Sequence, residues 1–270
     1  MKHCSIPVSF ITIALITGCT TSNSTNNLKP NTDVLYQTTP YNAMLDEVYD
    51  GDMTIQELKH YGNIGIGTFN ALDGELIGLD GTFYQIKSDG VTYVADDSLK
   101  TPFAVVTWFE GDKTAIIDNN MDFAQLTRFI DNLRQTQNIF YGIKIEGIFE
   151  YIRTKSAPKQ DKPYPPLVAI LQNMPEFEFH DVEGTIVGFW LPTYIEGINI
   201  PGYHLHFITK NRDSGGHLIE CQIQNAKIEI DYTTNFNMIL NRNDEFYSAD
   251  LKKNLKEELE KTEQYQYYSK

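Results

Sequence analysis

The hydropathy pattern changes period several times along the chain. Between Tyr41 and Asn63 apolar residues recur at helical spacing in two short stretches, and Thr54 with Glu57 three residues later has the form of a capping box opening the second. From Ile64 to Ala95, short alternating runs are punctuated by Asp-Gly at 73–74, 80–81 and 89–90. Asp-Gly readily takes the positive φ of tight hairpin turns, so the spacing predicts an antiparallel meander. TPFAVVTWF (101–109) continues as a strand. Phe123, Leu126, Phe129, Ile130 and Leu133 then share one face of a 3.6-residue period and predict a helix. Strand alternation returns in IFYGIKIEGIFEYIRTKSAP (139–158) and, beyond a proline-rich bend at KPYPPL, in GTIVGFWLP, GYHLHFIT, GHLIECQIQ and AKIEIDY. SADLKKNLKEELEKTEQ (248–264) predicts a closing helix, and no fixed-period repeat occurs. The pattern is that of a β-rich α+β chain with peripheral helices.

The N-terminal segment stands outside that fold. MKHCSIPVSFITIALITGCTTS has a basic Lys2, an apolar run from Ile6 to Ile16, then small residues, the layout of a secretory signal over 1–18. Ile16–Cys19 (ITGC) resembles a bacterial lipobox, whose cysteine carries the lipid; ordinary cleavage nearby without a lipid is the alternative. Residues 19–33, rich in Ser, Thr and Asn, then form a flexible tether. The expected product is an exported lipoprotein facing the periplasm or cell surface, touching membrane only through an anchor at Cys19. Of the three cysteines, Cys4 leaves with the signal and Cys19 is acylated. Cys221 is then left alone as a buried strand residue, so packing rather than a disulfide must hold the fold. A net charge of −14, from 36 acidic and 22 basic residues, argues against nucleic acid as a partner. The proline-rich bend divides a sheet lobe at 34–157 from a second lobe, with the closing helix, at 158–270.

Three of the six histidines fall within GYHLHFITKNRDSGGH (202–217). His204 and His206 are two apart in a strand pattern and therefore project from the same face. Asp213 and Gly215-Gly216 permit a reversal that brings His217 back beside them. Such a face suits a divalent metal, with zinc, copper, iron and nickel all compatible with imidazole. Hydrogen-bonded surface histidines would have the same spacing.

Longer blocks resolve that choice. GYHLHFIT with GGH, HYGNIGIGTFNALDGELIGLDGTFYQIKSDG, TPFAVVTWF, APKQDKPYPPL and GTIVGFWLPTYIEGINIPGYH occur in an order that resembles the acetolactate decarboxylase family, from about Tyr36 to Glu263. The resemblance implies two β-sheet lobes, a homodimer, and zinc-dependent conversion of 2-acetolactate to acetoin and carbon dioxide. It implies His204, His206 and His217 as zinc ligands, with Glu75 and Glu263 as carboxylates near the metal, one of them protonating a metal-stabilised enediolate. One position departs: Lys155 stands where the family has arginine, which keeps the charge but loses the planar fork. Arg153, two residues earlier on the presumed strand, is the other candidate for the substrate cation. Thr68 lies beside the Glu75 turn and receives no role.

Two other classes compete. A non-catalytic metal- or ligand-binding surface lipoprotein would keep the histidines but need neither Glu75 nor a nearby cation. A zinc hydrolase is a further alternative, although the commonest protease pattern, H-E-x-x-H, is absent.

Overall fold

Each predicted Asp-Gly turn closes a hairpin or its rim: Gly74, Gly81 and Gly90 sit at φ +89, +80 and +79°. The computed structural model describes residues 32–252 and Met1. The chain opens with β1 (Val34–Thr38), α1 (Tyr41–Leu45), β2 (Met53–Thr54) and α2 (Ile55–Leu58). The meander follows as β3 (Ile64–Thr68), β4 (Glu75–Leu79), β5 (Thr82–Ile86) and β6 (Thr92–Val94). Next come β7 (Lys100–Thr101), β8 (Ala104–Thr107), β9 (Lys113–Ile117), β10 (Met121–Asp122), α3 (Phe123–Leu133) and β11 (Phe140–Lys155). The remainder is α4 (Leu167–Leu171), β12 (Glu176–Leu191), β13 (Gly202–Thr209), β14 (Gly215–Thr233), β15 (Asn235–Ile239) and α5 (Asp244–Ser248). The architecture is the expected β-rich α+β arrangement of sheets with peripheral helices.

The first sheet runs β15-β1-β8-β3-β4-β5-β6, antiparallel throughout except where β15 lies parallel to β1. The second runs β10-β14-β11-β12-β13, with β9 also on β14. In addition β13 pairs with β14, His206 opposite His217, so the four strands β14, β11, β12 and β13 close on one another. That ring leaves no open edge between β13 and β14 and is filled by aromatics. Phe207 lies 5.5 Å from Phe149 and 5.8 Å from Phe179, centroid to centroid. α3 packs Leu126 and Ile130 into the same core, and Asp122 caps it by accepting from the Gln125 backbone N–H.

Alternation along the strands decides what faces what. In the first sheet Ile66, Ile77, Ile86 and Val105 meet Val187, Phe189 and Ile208 of the second. The opposite face carries Leu76, Phe83 and Val106 against Ile55 and Leu58 of α2, whose predicted capping box between Thr54 and Glu57 is present. Glu75 is in step with Ile77, and His204 and His206 are in step with Ile208. All three polar side chains therefore project from faces packed between the sheets.

Several elements differ from expectation, among them β9 and β15, where no strand is expected. The two strands expected across 216–232 are one, β14, because irregular pairing near Ile148 and Phe149 absorbs the polar Gln224-Asn225 break. β12 begins at Glu176, well before the alternating run. The unperiodic LVAIL after the double proline forms α4, with Pro166 at its N-cap. Cys221 is a buried free thiol in β14, as expected. The closing helix from residue 253 onward lies outside the described residues.

Two outcomes follow from this packing. Phe207→Ala opens a cavity in the closed ring and should lower unfolding free energy by about 3–5 kcal/mol in urea titrations. Asp231, 1% exposed beside Asp112, is pushed up to about 7, by burial first and then by its acidic neighbour. The folded state holds this proton more tightly than the unfolded chain, so stability falls as pH rises from the ordinary carboxylate range through about 7. Relative to Asp231→Asn, the native protein should lose stability across that window; a flat difference would contradict the coupling.

Candidate metal centre and active site

β13 and β14 build the centre. His206 and His217 are directly opposed across the pair, and His204 follows two residues away on the same face. The three rings stand 5.0–5.2 Å apart, and one nitrogen from each lies within 4.8 Å of the others. Gly216 makes this possible: at φ +138° its missing Cβ would stand 2.6 Å from the Lys155 carbonyl oxygen.

The protonation pattern suits a metal. His206 Nδ1 lies 3.1 Å from the Leu76 carbonyl oxygen, which can only accept, so the proton belongs on Nδ1. Its Nε2 then carries a bare lone pair, buried and without a hydrogen-bond partner. An orphaned acceptor of this kind is costly unless something coordinates it. Burial pushes His204 down to about 4 and holds His206 and His217 well below the usual imidazole range, where mutual repulsion among the three rings, and for His217 the Lys155 charge, further disfavours a second proton. All three are therefore neutral at pH 7, the form that binds metal. The donor set fits a divalent ion.

β4, from the other sheet, supplies the carboxylate. Glu75 Oε2 is 3.6 Å from His206 Nε2, and Oε1 accepts from the Ala157 N–H at 3.2 Å. Burial raises Glu75 to about 7, against the opposing pull of that N–H and of the Lys155 charge. Near neutrality this carboxyl can hold or release a proton. Gly74 precedes it at φ +89°, where a Cβ would meet the Ile86 carbonyl oxygen at 2.2 Å. Thr68, paired opposite Glu75, donates its hydroxyl to the Gly74 carbonyl oxygen at 2.7 Å.

The two cation candidates separate. Lys155 pairs with His217 across β11 and β14, is 9% exposed, and its charge acts on both Glu75 and His217. Arg153 instead divides its guanidinium between Glu176 at 3.0 Å and Glu220 at 3.1 Å. It is not brought to the histidines. Glu263 and Cys19 lie outside the described residues.

Glu75, His204, His217 and Thr68 line a cavity of about 590 Å³, including its open mouth. Its remaining wall is mainly apolar, with Met44, Leu72, Phe103, Leu167, Ile170 and Met174. None of these has a sequence signal separating a cavity wall from ordinary core; only their convergence from α1, α4 and the loops reveals it. Tyr41 was equally unmarked.

Packed sheets, a buried three-histidine group able to hold a metal, and a carboxyl at a small cavity define a protein whose site suits metal-assisted small-molecule chemistry. The family model for alpha-acetolactate decarboxylase matches residues 35–253. The alpha-acetolactate decarboxylase of Methanosarcina mazei is 43% identical over 245 residues, covering 89% of this chain and 85% of that protein. The Bacillus subtilis protein of that name is 41% identical, over 80% of this chain and 85% of its own. A crystal structure of the Bacillus subtilis enzyme superposes with a TM-score of 0.82 at 40% identity, covering 85% of this chain and 99% of that one. A Staphylococcus aureus structure described as similar to alpha-acetolactate decarboxylase gives 0.80 at 30% identity, over 84% and 99% of the two chains. The chain belongs to the alpha-acetolactate decarboxylase family.

Metal binding can be read directly with cobalt(II) as a spectroscopic probe. The native protein should bind one equivalent. His206→Ala should weaken binding by more than about 100-fold, since loss of outer-shell partners alone costs about 10–100-fold.

Proposed function

We propose that the protein decarboxylates 2-acetolactate to acetoin and carbon dioxide, using zinc held by His204, His206 and His217. The observation that carries this reading is the Glu75 carboxyl, 3.6 Å from the uncommitted nitrogen of His206, in a chain of this family. Zinc would supply Lewis acidity at the substrate's hydroxyl and ketone oxygens, a sink for the electron pair left by the departing carboxylate. The chain's own groups do the rest. Lys155 orients the substrate carboxylate before the carbon–carbon bond breaks, as a charge-assisted donor. Glu75 delivers a proton to the carbon that bore the carboxylate, a task suited to an acid whose pKa lies near working pH. Glu263 is the second carboxylate in this reading, supported by the family resemblance alone. The apolar wall excludes water from the carbanion-like carbon.

The resemblance also supports a homodimer. The lipobox-like Ile16–Cys19 supports export and a lipid anchor at Cys19, placing the enzyme where it meets excreted substrate. Palmitate labelling of cells should then mark the protein, and a Cys19→Ala variant should stay unlabelled.

The decisive assay is carbon dioxide release from racemic 2-acetolactate by the purified protein, against the slow spontaneous reaction. Release should be fast, vanish after chelation and return with zinc. No rate above baseline in folded, zinc-loaded protein would favour a binding lipoprotein instead. Within the active enzyme, Lys155→Met should lower kcat/KM by about 10- to 100-fold, the worth of a hydrogen bond to a charged group. Arg153→Met should leave kcat/KM close to native.

A further inference from the structure

Tyr41 lines the same cavity and has no part in the chemistry above. It opens α1, is fixed by its backbone N–H to the Ile198 carbonyl oxygen at 2.8 Å, and packs edge-on against Phe103 at 5.4 Å. The residue is only 7% exposed. Even so, its hydroxyl makes no hydrogen bond to any described residue, and the oxygen is not among the buried, partnerless atoms. The residue itself is part of the cavity wall. Phenols this deep ordinarily find a partner.

The neighbouring polar side chains on the wall are committed. Thr68 gives its proton to Gly74, Glu75 accepts from Ala157, and His204 and His217 belong to the metal group. Among the described wall residues, Tyr41 alone keeps an uncommitted hydroxyl proton. Burial and the Glu75 charge both hold that proton on the phenol, making it a standing donor. The same negative charge disfavours a carboxylate at this position. We propose that Tyr41 is a further substrate-contacting residue, its hydroxyl donating a hydrogen bond to a ketone or hydroxyl oxygen that acetolactate retains on becoming acetoin.

This inference rests on the acetolactate reading, and acetoin binding separates the two. Metal-loaded full-length protein and Tyr41→Phe are compared by decarboxylation kinetics, by calorimetric titration with acetoin, and by Tm and metal content. The variant should lose about three- to tenfold in kcat/KM and in acetoin affinity, the worth of one neutral hydrogen bond, with Tm and metal content unchanged. Unaltered kinetics and affinity would overturn the proposal. So would an equal loss in Phe103→Leu, which loosens the ring's packing but keeps the hydroxyl. A native protein that binds acetoin through Tyr41 but releases no carbon dioxide would defeat the decarboxylase reading and leave the contact standing. Absence of acetoin binding in the native protein would overturn the contact.

Discussion

The hydrogen bond from His206 Nδ1 to the Leu76 carbonyl oxygen ties β13 of the second sheet to β4 of the first where the chemistry sits. Leu76 belongs to the first sheet and its side chain points away, into the core beneath α2. Its carbonyl remains available to β13 because β4 is positioned over the closed ring. The bond fixes which nitrogen of His206 is bare, and the adjacent Glu75 is brought to that nitrogen by the same strand. A shift of β4 by one residue would turn Glu75 outward and bring Leu76 in, because strand side chains alternate.

Burial then sets the charge state of everything nearby. Desolvation penalises imidazolium and carboxylate alike, so it drives the histidines to neutrality and lifts Glu75 toward protonation. The net charge of −14 matters little here, since the groups acting on Glu75 are an amide and one lysine. Lys155 is drawn in by its pairing with His217, whereas Arg153 is held by two glutamates on the outside of the ring.

Two consecutive strained residues also lie beside the site. Ala71 and Leu72 both sit at positive φ, +59 and +53°, immediately before the Glu75 turn. Each such residue costs about 1–2 kcal/mol unless its surroundings hold it. Here Asn70 bonds both ways with the Gly51 backbone, and the Ala71 N–H donates to Tyr49. Leu72 is thereby pinned into the cavity wall.

Much of this was legible in the residues themselves. The Asp-Gly turns, the Thr54 capping box, the α3 face and the His-x-His geometry are local, set by φ preferences and side-chain period over a few residues. The continuity of β14 was hidden because a polar break reads as a turn until a partner strand absorbs it. α4 was hidden because its short apolar run has no period. The choice between Lys155 and Arg153 could not be made from alternation, which puts both on one face; the ion-pair partners across β12 and β14 separate them. Sequence alone determined which residues could bind a metal and which face each strand would bury. Tertiary structure decided which of those faces meet, and so which carboxyl and phenol share a cavity with His204 and His217, because that depends on sheet-on-sheet register between segments far apart in the chain.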